Sequence, residues 1–117
     1  MKKSFTRTDR VSAQLRRDLG ELVHAAVRDH GLPSTSVSDV EVTRDLAHAK
    51  VFVTVLEAAR GLEAVAALNE MARELRFELG RRLRLRIVPE LRFHYDDSLD
   101  RGERIEALLR RPDAPEE

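Results

Sequence analysis

The sequence has no cysteine and no tryptophan, and aromatic residues make up only 4% of its 117 positions. Without cysteine there are no disulfides, no thiol nucleophile and no thiolate metal site; a reducing compartment suits the chain. No window reaches the apolar length that crosses a bilayer, and Lys2 and Lys3 precede no apolar core. Membrane insertion and secretion are therefore not expected, and a cytoplasmic location is. Only five glycines occur, all scattered, so no phosphate-cradling loop or dinucleotide fingerprint can be drawn. No nucleophile stands beside a base, so an enzyme is not expected. Net charge is also missing, because 21 basic side chains meet 21 acidic ones.

What is present is a segregation of that charge. Residues 1–17 carry six basic groups and one acid, and residues 73–86 carry six arginines and two acids, so segments of +5 and +4 leave −9 elsewhere. A neutral chain with two basic segments suits a selective basic face better than indiscriminate coating of polyanions. Arg81, Arg82, Arg84, Arg86 and Arg92 fall within twelve residues. So dense a cluster on a folded element usually faces phosphates, although cations at a helix C-terminus also meet the macrodipole favourably. With 42% hydrophobic and 36% charged residues the chain reads as one globular domain over residues 1–109, with a flexible acidic tail over 110–117.

The apolar pattern places the elements. Val11, Leu15, Leu19, Leu22, Val23, Ala26 and Val27 recur at helical spacing, with Thr8 or Asp9 as the cap and Gly31 followed by Pro33 as the stop. Val37 to Thr43 alternates as a half-buried strand, Arg44 to His48 is a turn, and Ala49 to Leu56 is a β-branched second strand, paired antiparallel with the first. Gly61 opens a helical stretch through residue 86, with Val65, Leu68, Ala72, Leu75, Leu79 and Leu83 as its core stripe. Pro89 ends it, and Leu91, Phe93 and Tyr95 alternate with Arg92, His94 and Asp96 in a third strand. A last amphipathic turn carries Ile105, Leu108 and Leu109. The expected class is α+β: a three-stranded sheet with helices on one face, in the order α-β-β-α-α-β.

On that helix Arg73, Phe77, Gly80 and Arg84 align opposite the leucine stripe. An aromatic between guanidinium groups, beside a glycine, suits single-stranded RNA through base stacking and phosphate pairing. As the alternative, Phe77 belongs to a second apolar face packed on the sheet. The RNA-binding candidates are Arg73, Arg76, Phe77, Arg81, Arg82, Arg84 and Arg86, with Lys2, Lys3, Arg7 and Arg10 as a secondary basic arm. Arg86 and Arg92 can instead tie helix end to strand. His24, His30, His48 and His94 share no ligand spacing, and His24 and His94 are expected exposed or hydrogen-bonded. Asp96, Asp97 and Asp100 have the chemistry for Mg²⁺ or for paired carboxylates, but around Ser98 such a group more often serves turns and caps. No metal or cofactor is expected.

The α-β-β-α-α-β order resembles the type II KH domain, an RNA-binding fold, yet no GXXG loop occurs here. With that absence, several motifs make the chain similar to the ribosome-binding factor A family of bacterial small-subunit assembly factors. They are Arg10-Val11, Asp45-Leu46, Ala49-Lys50-Val51, Leu75-Arg76 and Leu85 through Phe93, followed by Asp96, Ser98, Gly102 and Ile105, and they span about residues 5–109. The resemblance implies a non-enzymatic, monomeric factor that binds the free 30S subunit and assists late maturation of 16S rRNA at its 5′ end and decoding region. It further implies a link to cold adaptation. Family members commonly kink at Ala-x-Gly, where this chain has Met71-Ala72-Arg73, so a gentle bend or a nearly continuous helix is expected. The competing classes are a generic KH-like module for single-stranded nucleic acid and a protein-interaction domain using acidic surfaces.

Overall fold

A computed structural model describes residues 6–83 and 87–98. Lys2, Lys3, Arg84, Arg86, Asp100, Gly102, the segment with Ile105, Leu108 and Leu109, and the acidic tail lie outside the described residues.

Helix α1 spans Arg7–His30 and buries Val11, Leu15, Leu19, Leu22, Val23 and Ala26. Its cap is Thr6 rather than Thr8 or Asp9: the Thr6 hydroxyl accepts from the Asp9 amide at 3.1 Å, and the Asp9 carboxylate accepts from the Thr6 amide at 3.0 Å. Asp9 thus works three residues inside the helix, where one side chain satisfies a donor that Thr6 cannot reach. At the other end Gly31 takes φ 64°, and its amide and that of Leu32 both bond the Val27 carbonyl.

Strand β1 (Thr35–Val42) pairs antiparallel with β2 (His48–Val55), from Thr35 opposite Val55 to Val42 opposite Ala49. It begins two residues before the alternation suggests, because a bulge between Val37 and Asp39 breaks the period while Thr35 and Ser36 still pair. In the connecting turn the Asp45 carboxylate accepts from the Thr43 hydroxyl at 2.7 Å and from the Ala47 amide at 3.0 Å. These bonds, the backbone one first, hold the Asp45 carboxyl below its ordinary value of 3.8. Leu46 is carried to φ 61° and buried in the core, a strained backbone for a non-glycine residue that the turn and the burial hold in place.

Strand β3 (Glu90–Tyr95) joins β2 in parallel, giving the sheet order β1-β2-β3. A parallel partner requires a crossover, and a short 3-10 turn at Ala58–Arg60 leads into α2 (Gly61–Glu70) and α3 (Ala72–Arg82), which supply it. The helices are divided at Met71 and α3 ends at Arg82, correcting the expectation of a helical stretch through residue 86. Met71 sits at φ −96°, ψ 6°, a bridge conformation with negative φ that needs no glycine. Its amide is shared between the Ala67 and Leu68 carbonyls, and its carbonyl accepts from Leu75. Helix α3 ends at Arg82 because Leu83 turns extended, at φ −94°, ψ 148°.

The apolar side of the sheet takes all three helices: α1 lies on β1, α2 and α3 lie on β3, and α1 meets α3. Leu15, Leu19, Val23, Val51, Val53, Leu68, Leu79 and Phe93 close the core. Asn69 of α2 bonds the edge of β3, donating to the Phe93 carbonyl at 3.0 Å and accepting from the Phe93 amide at 2.8 Å. On the opposite side Glu41, Lys50 and Arg92 form one cross-strand row. His94 is half-buried there, its ring centroid 5.5 Å from that of Phe52 and its Nε2 buried without a hydrogen-bond partner among the described residues. That corrects the expectation of an exposed or hydrogen-bonded His94: the register places it beside an aromatic ring that offers no acceptor. His24 is exposed, as expected. Among the described residues no helix is long and apolar enough to cross a membrane.

Candidate nucleic-acid interface

Helix α3 has two unlike sides. Leu75 and Leu79 are buried, whereas Arg73, Arg76, Phe77 and Arg81 stand exposed. The break at Met71 precedes all of them, so Arg73, Phe77 and Gly80 share one uninterrupted helix and keep their four- and three-residue spacing. Arg84, the fourth member of that alignment, lies past the helix end and outside the described residues.

An open groove of about 550 Å³ runs along this side, lined by Arg73, Arg76, Phe77, Gly80, Arg81 and Val88. Phe77 is 66% exposed among the described residues. Val88 forms the far wall, and Gly80 lets it approach: a Cβ at Gly80 would stand 3.3 Å from Val88 Cγ2, tighter than ordinary contact. Arg76 fixes that wall by donating from Nε at 3.1 Å and from a terminal nitrogen at 2.8 Å to the Val88 carbonyl. Its guanidinium is thus anchored, with donors left over. An apolar ring 66% exposed beside several guanidinium groups is chemically equipped to stack a planar base and to meet its phosphates.

The other arginines differ in their neighbours. Arg73 has no acidic partner among the described residues, and Arg81 meets Glu78 only loosely, at 3.8 Å. Arg82 is held by Glu21 of α1 at 2.6 Å, tying the end of α3 to the middle of α1. Asp29 and His30, near the end of α1, line a second groove with Met71, Arg73 and Phe77. The two helices therefore run antiparallel, and the first half of α1 projects beyond the end of α3. Arg7 and Arg10 sit on that projection, exposed. Arg92 does not join the face, because the register puts it beside Lys50 on the outer side of the sheet. The described arginines of the run are thus split, Arg81 and Arg82 at the helix end and Arg92 on the sheet.

Three contributors escape a reading of the sequence. Val88 looks like a strand lead-in, Asn69 like a polar position on a helix, and Glu21 like part of a solvated face; only the four-residue spacing of Arg17 and Glu21 hints that the α1 stripe carries organised charge.

Against known proteins, a family model described as Ribosome-binding factor A matches residues 7–109. A curated Ribosome-binding factor A of Xylella fastidiosa (strain M12) is 74% identical over 109 residues, covering 93% of this chain and 87% of that one. One from Xanthomonas campestris pv. campestris (strain B100) is 72% identical over 108 residues, covering 92% and 82%. Among structures, the crystal structure of ribosome-binding factor A from Thermus thermophilus superposes with a TM-score of 0.68 at 30% identity, covering 77% of this chain and 97% of that one. A homology model of the Thermus thermophilus factor, fitted into the cryo-EM map of a 30S–RbfA complex, superposes with a TM-score of 0.63 at 32% identity, covering 74% and 91%.

Proposed function

The chain belongs to the ribosome-binding factor A family, and from that premise we propose that it binds the free 30S ribosomal subunit and assists late maturation of 16S rRNA, at its 5′ end and decoding region. The role is that of a binding factor in the cytoplasm, working as a monomer without catalysis of its own. The Thermus thermophilus relative fitted into a 30S complex supports the partner. The observation that carries the mechanism is the α3 groove, where Phe77 stands two-thirds exposed among Arg73, Arg76 and Arg81.

In this reading an unpaired rRNA base stacks on Phe77, and Arg73 and Arg81 meet the flanking phosphates. Arg76 holds Val88 as the wall and keeps donors to spare. Arg7 and Arg10 extend the contact along α1, and Lys2, Lys3, Arg84 and Arg86 add cations from outside the described residues. The contact separates into a stacking part that salt hardly affects and a phosphate part that salt weakens.

Co-sedimentation tests the assignment. The protein should travel with free small subunits and not with assembled ribosomes, and should dissociate as salt rises. Equal recovery with both particles, or with neither, would sink it.

A further inference from the structure

Resting on the reading of the α3 face as an RNA surface, we infer that the Glu21 carboxylate occupies a phosphate position at the α1–α3 seam, and that RNA takes Arg82 from it. The cations on either side of the seam supply the argument. An α-helix turns about 100° and rises about 1.5 Å per residue. Measured from Glu21, Arg10, Gln14, Arg17 and Arg7 all fall within roughly 40° on that geometry, so they form one exposed stripe about 21 Å long. Glu21 ends the stripe against Arg82, next to Arg81 at the end of α3. The stripe of about 21 Å thus meets the last turn of α3, with Glu21 seated at the meeting point.

On α1 the residues that share the face of Glu21 are cationic or neutral. Arg17 donates to the neutral Gln14 amide at 3.1 Å, and Gln14 in turn donates to Asp18 at 3.0 Å. Arg7 and Arg10 have no acidic partner among the described residues. Glu78, four residues before Arg82 on α3, stands 3.8 Å from Arg81, whereas Glu21 closes to 2.6 Å on Arg82. Both members of the Glu21–Arg82 pair reach solvent, with side chains 71% and 39% exposed. Such a singly bonded pair is weak and easily exchanged, while a phosphate offers Arg82 a charge-assisted, bidentate contact with more oxygens. Glu21 also makes the stripe selective: a polyanion that cannot place a phosphate at the seam meets a carboxylate there instead.

The test uses the full chain, purified 30S subunits and a fluorescein-labelled oligouridylate, with binding followed across a salt series. Glu21→Gln should tighten binding about threefold to tenfold and steepen the slope of log K against log salt by about 0.7 to 0.9, the signature of one more phosphate contact. Glu21→Ala should do the same, with the melting temperature held as a control. The gain should vanish when Arg82→Ala is combined with either. Unchanged affinity and slope in both variants would overturn the inference. Weaker binding would overturn it too, by making Glu21 a residue that orients Arg82 for RNA. If the wild-type chain binds neither probe, or if Arg73→Glu and Phe77→Ala bind as well as wild type, the α3 reading itself falls. A silent Glu21→Gln beside a weakened Arg73→Glu removes only the exchange at the seam.

Discussion

The outward side of α3 and the outer side of the sheet hold similar residues and differ in what those residues touch. Each presents two or more cations near an aromatic ring. On the sheet, Lys50 stands between Glu41 and Arg92, the His48 ring lies 3.3 Å from Glu90, and Phe52 is half-buried against His94. On α3, Arg73 has no acidic partner among the described residues and Phe77 is 66% exposed. Cross-strand register places opposite charges side by side and lets them neutralise each other locally. The helix spaces its arginines around a ring instead, leaving the field and the stacking surface open to a ligand. Counting cations ranks the two faces alike, and their neighbours separate them.

That contrast can be broken most directly by charge reversal. Arg73→Glu with Arg81→Glu should weaken 30S binding by about a hundredfold, since two phosphate contacts are lost and two repulsions added. Lys50→Glu with Arg92→Glu on the sheet should stay within about threefold. Filter binding at fixed salt reads both, and equal losses would erase the distinction between the faces. The aromatic rings give the next largest difference. Phe77→Ala should cost about 1–3 kcal/mol of RNA binding with an unchanged melt. Phe52→Ala should lower the melting temperature and leave binding intact, so an opposite pattern in titration and calorimetry would reverse the roles assigned to the two rings.

A third comparison concerns the frame beneath both faces. Asn69→Leu leaves the outward amide and carbonyl of Phe93 without partners, so chemical denaturation should show a loss of about 1–3 kcal/mol. The freed β3 edge should also promote self-association at high concentration. A neutral result would mean that the Asn69 bonds contribute nothing net over solvent. The smallest effect belongs to the β1–β2 turn. Because folding lowers the Asp45 carboxyl below 3.8, its contribution is complete above that value and disappears as pH falls through the lowered one. Asp45→Asn should therefore flatten the acid limb of the stability profile below about pH 4 and nowhere else. A wild-type limb in the variant would free the turn of that role.

Much of the fold was legible in the chain because it depends on local periodicity. Leu15, Leu19 and Val23 announce α1 from their spacing, and Val51, Val53, Leu91 and Phe93 announce strands from alternation. The break at Met71 was not legible, since a bridge conformation with negative φ leaves no mark of glycine or proline. Nor was the cap: the pattern pointed to Thr8 or Asp9, and only the reciprocal bond with Asp9 selects Thr6. For the candidate face, the spacing of Arg73, Phe77 and Gly80 was visible, but that Arg76 is anchored to Val88, Arg82 is held by Glu21 and Arg92 lies on another surface was not. Those facts come from contacts between residues 12 to 61 positions apart or from strand register, which one-dimensional patterns do not encode.

The sequence by itself determined the element order, the apolar faces, the exclusion of cysteine chemistry and the family motifs, because helix and strand periods and residue chemistry are local properties. Only the tertiary structure decided which arginines share a face and which are already engaged. A guanidinium's availability depends on the carboxylate or carbonyl that packing brings beside it, and Glu21 lies 61 residues from Arg82 along the chain yet 2.6 Å away in space.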